Sequence, residues 1–277
     1  MSTRRRLNSL KYCCVQNIAK NFETCWFKPF EDQFGSTGRL MHVIGPFDDI
    51  TSDLNQYLLD VLVKEKLLKT KHLQLLITYR LLELDLSQAS GYINNDLIVN
   101  TIADRCHKLT KLNLSFCNKV SSRALENAVC QLPSIQILIL KNTKCDDKVL
   151  TAISQYSSDL RHLDVTRCDN DMLPEDSLSV VLKNADELQV LSLNNIQFLT
   201  TEELGHYLNH NVKPNIEQIE ITKCDKIAGS IFHHLLTVAH CLTVLTLHVC
   251  QNVTRDDYSR LMKYSEKYLP ELQVEWT

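Results

Sequence analysis

The sequence predicts an α/β solenoid in which parallel strands line a concave face, helices cover the convex face, and a helical cap closes the N-terminal end. Three observations predict it. A phrase of one apolar residue, two others, an apolar, one other and an apolar occurs eight times in the 277 residues, beginning at Leu81, Leu109, Ile135, Leu160, Leu188, Ile216, Leu242 and Leu269. The steps between them are 25 to 28 residues, and a fixed period in that range marks stacked units, none of which buries its apolar face alone. Within a phrase apolar residues alternate as on a half-buried strand, and after it they recur at helical spacing. The first 78 residues lack the phrase and are read as a separate helical region, 1–78, ahead of the repeats, 79–277.

Each repeat can be read in turn. In the second, Leu112 and Leu114 point inward from the strand, Asn118 to Ser122 turn the chain, and Ala124, Leu125 and Ala128 share a helix face. Thr200 with Glu203 in the fifth, ahead of Leu204, Tyr207 and Leu208, and Thr254 with Asp257 in the seventh, ahead of Leu261, have the spacing of a capping box. The fourth departs: Asp169 to Asp176, holding Pro174, predicts a longer loop before a helix bearing Leu178, Val181 and Leu182. No helix follows the last phrase, and Trp276 is expected to cover the open end of the stack. Strand, turn and helix at this period define a leucine-rich-repeat solenoid, an architecture that presents a curved sheet for binding other proteins.

Eleven cysteines are present, and four of them, Cys117, Cys168, Cys224 and Cys250, stand three residues after the last apolar position of their phrase. Ala89, Thr143 and Ile196 fill that slot elsewhere, so it asks for packing rather than redox chemistry. A thiol there is expected to fold inward and bond a loop carbonyl. Reduced, buried thiols point to a cytoplasmic or nuclear protein.

The residues that face the concave side alternate with the inward ones. Asp85, Lys111, Asn113, His162 and Asp164 are polar members of this wall, while Ile137 and Ile139 set two apolar groups side by side near its middle. That pair has two readings: β-propensity on a strand, or an anchor for a protein partner, since interface energy concentrates in a few central residues. All seven are candidate contacts for a captured protein.

Composition excludes several classes. A formal net charge of −3 gives no global attraction to nucleic acid or anionic membrane, and apolar runs such as Leu75-Leu76-Ile77 are too short to span a bilayer. Arg4-Arg5-Arg6 reads as a solvated tail, and Asn8, Lys11 and Gln16 interrupt what a secretory signal would keep apolar. No Gly-rich phosphate loop exists among six glycines, and His233-His234, His240 and Cys241 lack zinc-ligand spacing. His162 beside Asp164 is the best acid–base pair but has no nucleophile or oxyanion device with it. No catalysis, cofactor or metal is expected.

Before the repeats, two helical stretches flank a segment rich in Phe, Gly and Pro. Leu10, Cys14 and Ile18 fall on one face of the first at i, i+4 and i+8. With Ser9 they resemble the BC box of SOCS-box and VHL-box proteins, in which the leucine plugs a pocket in elongin C. In those proteins a proline-led cullin box follows. Here Pro46 precedes Ile50 and Leu54, and a second helix is expected to run through Leu58, Leu59, Leu62, Leu67 and Leu68 to Leu73. Gly45 stands where the pattern wants an apolar residue, and the spacing to Ile50 runs one residue long; Phe30 and Phe34 after Pro29 give a second, equally imperfect placement. The resemblance implies an adaptor contact through Leu10, Cys14 and Ile18, with Leu54 and Leu58 near a cullin.

Arg5-Arg6, Leu10, Cys14, Lys20 and Asn21 at the head, and His248 to Thr254 with Val274-Glu-Trp276-Thr277 at the tail, resemble the Amn-type (antagonist of mitotic exit network) proteins. The pairing of a VHL-type box with repeats also resembles the zygote-defective-type receptors. These resemblances imply a non-enzymatic substrate receptor that joins elongin B/C and a cullin to a captured protein and is a monomer outside that complex. The alternatives are a scaffold or inhibitor whose N-terminal helices only cap the stack, and a receptor with an F-box-like head.

Overall fold

A computed structural model describes residues 10–35, 44–93, 95–168, 181, 184–196, 200–202, 204–205 and 215–276. Eight strands, one from each phrase, form a single parallel sheet in chain order. They are β1 (Glu83–Asp85), β2 (Lys111–Asn113), β3 (Ile137–Ile139), β4 (His162–Asp164), β5 (Val190–Ser192), β6 (Gln218–Thr222), β7 (Val244–His248) and β8 (Gln273–Trp276). Register follows the repeat. Leu84, Leu112, Leu138, Leu163, Leu191, Ile219, Leu245 and Val274 pair in succession as one apolar column. Each of its fully buried side chains stabilises the stack by about 1.5–3 kcal/mol.

Three helices carry the first repeats' convex side: α5 (Leu97–Arg105), α6 (Ser122–Gln131) and α7 (Asp147–Tyr156). Two more carry the last, α8 (Ser230–Val238) and α9 (Arg255–Tyr268). Their starts are encoded locally. Ser121 Oγ accepts from Ala124 N at 3.2 Å, Asp146 accepts from Lys148 N and Val149 N, and Thr254 with Asp257 closes the expected capping box of α9. Val181 and Leu204 are buried as expected. The Asp169–Asp176 loop, Leu178, Leu182, Glu203, Tyr207 and Leu208 lie outside the described residues.

The cysteine column is packed as the slot implied. Cys168, Cys224 and Cys250 are buried and direct Sγ at the carbonyls of Leu140, Leu193 and Ile221 in the preceding repeat, at 3.3, 3.1 and 3.6 Å. Burial pushes the thiol of Cys117 up to about 12 and that of Cys224 to about 11, so both are uncharged at neutral pH. At the far end Trp276 stacks on Tyr258 of α9, with ring centroids 4.8 Å apart.

The cap consists of α1 (Leu10–Lys20), a π-helical turn (Phe22–Phe27), α2 (Lys28–Phe34), α3 (Ser52–Lys64), a 3-10 turn (Thr70–His72) and α4 (Leu73–Leu76). Two expectations are corrected here. The Phe-rich segment is partly helical: its π turn sets Phe22 and Phe27 five residues apart on one side, and each packs 4.9 Å from the His72 ring. The second long helix does not reach Leu73. It stops at Lys64, because Lys66 takes a left-handed backbone (φ 58°) and the amides of Leu67 and Leu68 both return to Leu62 O. That reversal buries Leu68 while Leu67 faces out.

Side chains of α3 seal the free edge of β1. Ser52 Oγ donates to Glu83 O and accepts from the amides of Leu82 and Glu83, while Gln56 exchanges two bonds with the Asp85 backbone, at 2.8 and 2.9 Å. An open strand edge is thereby covered, and the cap core is continuous with that of the repeats.

Candidate functional site

Two surfaces qualify, and they are built differently. The first lies on the cap. Helix α1 turns Val15 and Ala19 inward against α3 and leaves the opposite side outside. Leu10 is 79% exposed, Cys14 is exposed and Ile18 is half-buried. They rim a groove of about 430 Å³ whose other walls include Phe47, Ile50 and Leu54, with Leu58 beneath. Leu54 is half-buried, whereas Leu58 is only 2% exposed. Leu58 is therefore the groove's floor and part of the core, and reaches only a group that inserts. Four of the five residues assigned to adaptor contact thus offer surface. Ser9 lies outside the described residues.

The groove's far wall is held in place by a buried charge pair that the sequence reading missed. Asp48, 1% exposed, accepts from the Arg105 guanidinium at 3.1 Å and from the Gly45 amide. Arg105 also donates to Gln74 O at 3.3 Å. This ties the turn that carries Phe47 and Ile50 to the first repeat's helix. Phe47 then stacks on Phe22, 5.3 Å between centroids. Behind it His72 accepts the Lys69 amide through Nδ1 (3.2 Å) and meets Glu23 through Nε2 at 2.5 Å. Burial lowers the His72 pKa despite the carboxylate, which fits a neutral imidazole that donates to Glu23.

The second surface is the concave wall. All seven assigned residues line it, but several are already engaged. Asp85 accepts the Ser87 amide (2.8 Å) and the Asn113 side chain (3.0 Å). Asn113 in turn accepts the Ser115 amide at 3.0 Å, and Asp164 that of Thr166 at 2.9 Å. These are Asx turns that let the chain leave the strand, so these side chains have a structural duty. Lys111 lies 3.6 Å from Glu83. His162 is half-buried, and its pKa is lowered by burial against the opposing pull of Asp164. Ile137 and Ile139 are half-buried rather than projecting. Among the described residues no three His, Cys, Asp or Glu side chains come together as a metal site, and no helix is long and apolar enough to cross a membrane.

Known proteins extend the picture only to the repeat architecture. No family model matches. The bovine protein F-box/LRR-repeat protein 4 is 26% identical over 153 residues, 54% of this chain, and the chain spans only 23% of its length. A chain of the yeast Rad7–Elc1 complex is similar over 97% of this chain and 98% of its own at 13% identity, with a TM-score of 0.41. One from the complex of Latrophilin 3, Unc5D and FLRT2 is similar over 64% of each chain at 14% identity, with a TM-score of 0.35. The molecule is a leucine-rich-repeat solenoid with an N-terminal helical cap, a class whose members bind proteins.

Proposed function

We propose that this chain is a substrate receptor: the repeats capture a protein, and the cap attaches it to a cullin-type ubiquitin ligase through elongin B/C. One observation carries the adaptor half. Leu10, the residue that resembles the plug leucine of a BC box, is 79% exposed at the rim of an apolar groove instead of being spent on the cap core. A large apolar side chain left in water beside other apolar surface is characteristic of a docking site. Cys14 and Ile18 continue the same face, and Leu54 borders it. A cullin would approach from the side of Leu54. The free, buried thiols support a cytoplasmic or nuclear setting.

The closest alternative is a scaffold without a ligase link. It is favoured by α3, which already has a full structural role in sealing β1. A receptor with an F-box-like head is the other, suggested by the name of the bovine relative, but no proline starts α1. Co-purification separates them. Wild-type chain is expected to retain elongin B/C, and Leu10→Ala to lose it with its thermal stability unchanged. Failure of the wild type to bind, or equal retention by Leu10→Ala, removes the adaptor reading.

A further inference from the structure

The rim of the concave wall carries an oddity that neither surface above uses. In six repeats the residue two positions after the last apolar of the phrase has a left-handed backbone: Phe116, Asn142, Arg167, Asn195, Lys223 and Val249, with φ between 53° and 67°. The geometry is imposed by the ladder. The amides of Phe116, Asn142, Arg167, Asn195 and Lys223 donate to the carbonyls of Lys141, Thr166, Asn194, Thr222 and His248 in the next repeat at 2.6 to 3.0 Å. Such a slot suits Gly or Asn and is strained for other residues, whose Cβ crowds the backbone there. Asparagine fills it twice, yet the chain elsewhere accepts Phe, Arg, Lys and Val, displayed outward. Strain of this kind is a reason to look for function.

A groove of about 340 Å³ lies among these residues, bordered by Phe116, Lys141, Arg167 and Lys223. Arg167 and Lys223 stand two strands apart, roughly 10 Å. None of the three cations forms an ion pair among the described residues. At the groove's floor Thr166 is 4% exposed, and neither its Oγ1 nor the buried Oδ1 of Asn194 has a hydrogen-bond partner among the described residues. Both atoms are sealed from solvent beneath the rim, so the groove's accessible chemistry is that of its cations and the Phe116 ring. The neighbouring carboxylates Asp164 and Glu220 already accept Thr166 N, Ser192 Oγ and Gln218 Nε2.

We infer that this groove binds an acidic segment of a partner protein. Its carboxylate or phosphoryl oxygens would sit among Lys141, Arg167 and Lys223, and Phe116 would cover one end. Three cations spread along the ends of several strands, with the exposed Phe116 ring beside them, suit an extended acidic segment better than a single free ion. The acidic wall below and the chain's net charge of −3 disfavour a polyanion such as nucleic acid. The inference rests on partner capture by the repeats and is independent of the adaptor.

The test uses the full chain and fluorescence anisotropy with three labelled peptides: hexaglutamate, a phosphoserine peptide of otherwise neutral sequence, and hexalysine. At least one anionic peptide should bind, and hexalysine should not. Which anionic peptide binds better distinguishes a carboxylate from a phosphate source. The double variant Arg167→Asn/Lys223→Asn, which places in both slots the residue the chain itself uses at Asn142 and Asn195, should bind at least tenfold more weakly while melting no lower than wild type. Leu10→Ala should bind the peptide unchanged, which keeps failure of this site apart from failure of the adaptor reading. Equal binding by the double variant, binding of neither anionic peptide, displacement by equimolar inorganic phosphate, or tighter binding of a single-stranded oligonucleotide would each overturn the proposal.

Discussion

The cap groove and the concave wall are both candidate binding surfaces, yet they solve opposite problems. On the wall, polar side chains are tied to one another and to the turns: Asp85, Asn113 and Asp164 each accept a backbone amide two residues on. These three side chains are satisfied without a partner, and a partner at them would have to offer more than simple polarity. On the cap, Leu10, Cys14 and Ile18 rim apolar walls with little polar character. That surface is stabilised by being covered. The contrast teaches that in this array the polar strand positions are consumed by the repeat, and the two binding sites proposed above lie outside them, at the cap and at the left-handed rim.

The largest effect that tests this contrast should come from beneath the groove. Arg105→Ala leaves Asp48 buried and unpaired, and breaking a buried pair costs about 3–5 kcal/mol. Urea unfolding should show the cap melting before the repeats, and an unchanged midpoint would mean that the Phe47–Ile50 turn is held by something else. A smaller effect should follow pH. His72 in the cap and His162 on the wall both have pKa values lowered by burial. Each therefore adds stability that is complete above the unfolded value of about 6.5 and is lost as pH falls through the lower folded value. The urea midpoint should drop between pH 7.5 and pH 5, and His72→Gln should flatten the cap's share of that drop. A midpoint that rises on acidification would reverse the assignment of a neutral His72.

Much of the fold was legible in the sequence because a repeat states its rules several times. Eight phrases at one period place eight strands, and the slot three residues on from Leu114, Val165, Ile221 and Leu247 identifies the cysteine column. The cap was less legible, because its structure rests on single long-range contacts. Nothing local announces that Asp48 will meet Arg105, or that Ser52 and Gln56 will seal β1. Helical spacing from Leu62 through Leu68 to Leu73 could not show the left-handed Lys66 that ends α3. On the wall, alternation correctly separated inward from outward residues, but it could not tell an outward side chain free to bind from one already closing a turn. The left-handed rim had a signal in the sequence, a recurring position two residues past the phrase. Without Gly there, that signal is silent until the backbone is seen.

The central claim, that the exposed face of α1 is a docking surface, is tested most directly at Cys14, which stands in the middle of that face. Among the cysteines, Cys13, Cys14, Cys25 and Cys241 are exposed and should alkylate rapidly, well ahead of the buried column. The labelling rate of each can be followed by mass spectrometry as purified elongin B/C is added. Selective protection of Cys14, with Cys241 on the last repeats unaffected, is the expected result. Labelling of Cys14 at an unchanged rate under saturating elongin B/C would contradict it.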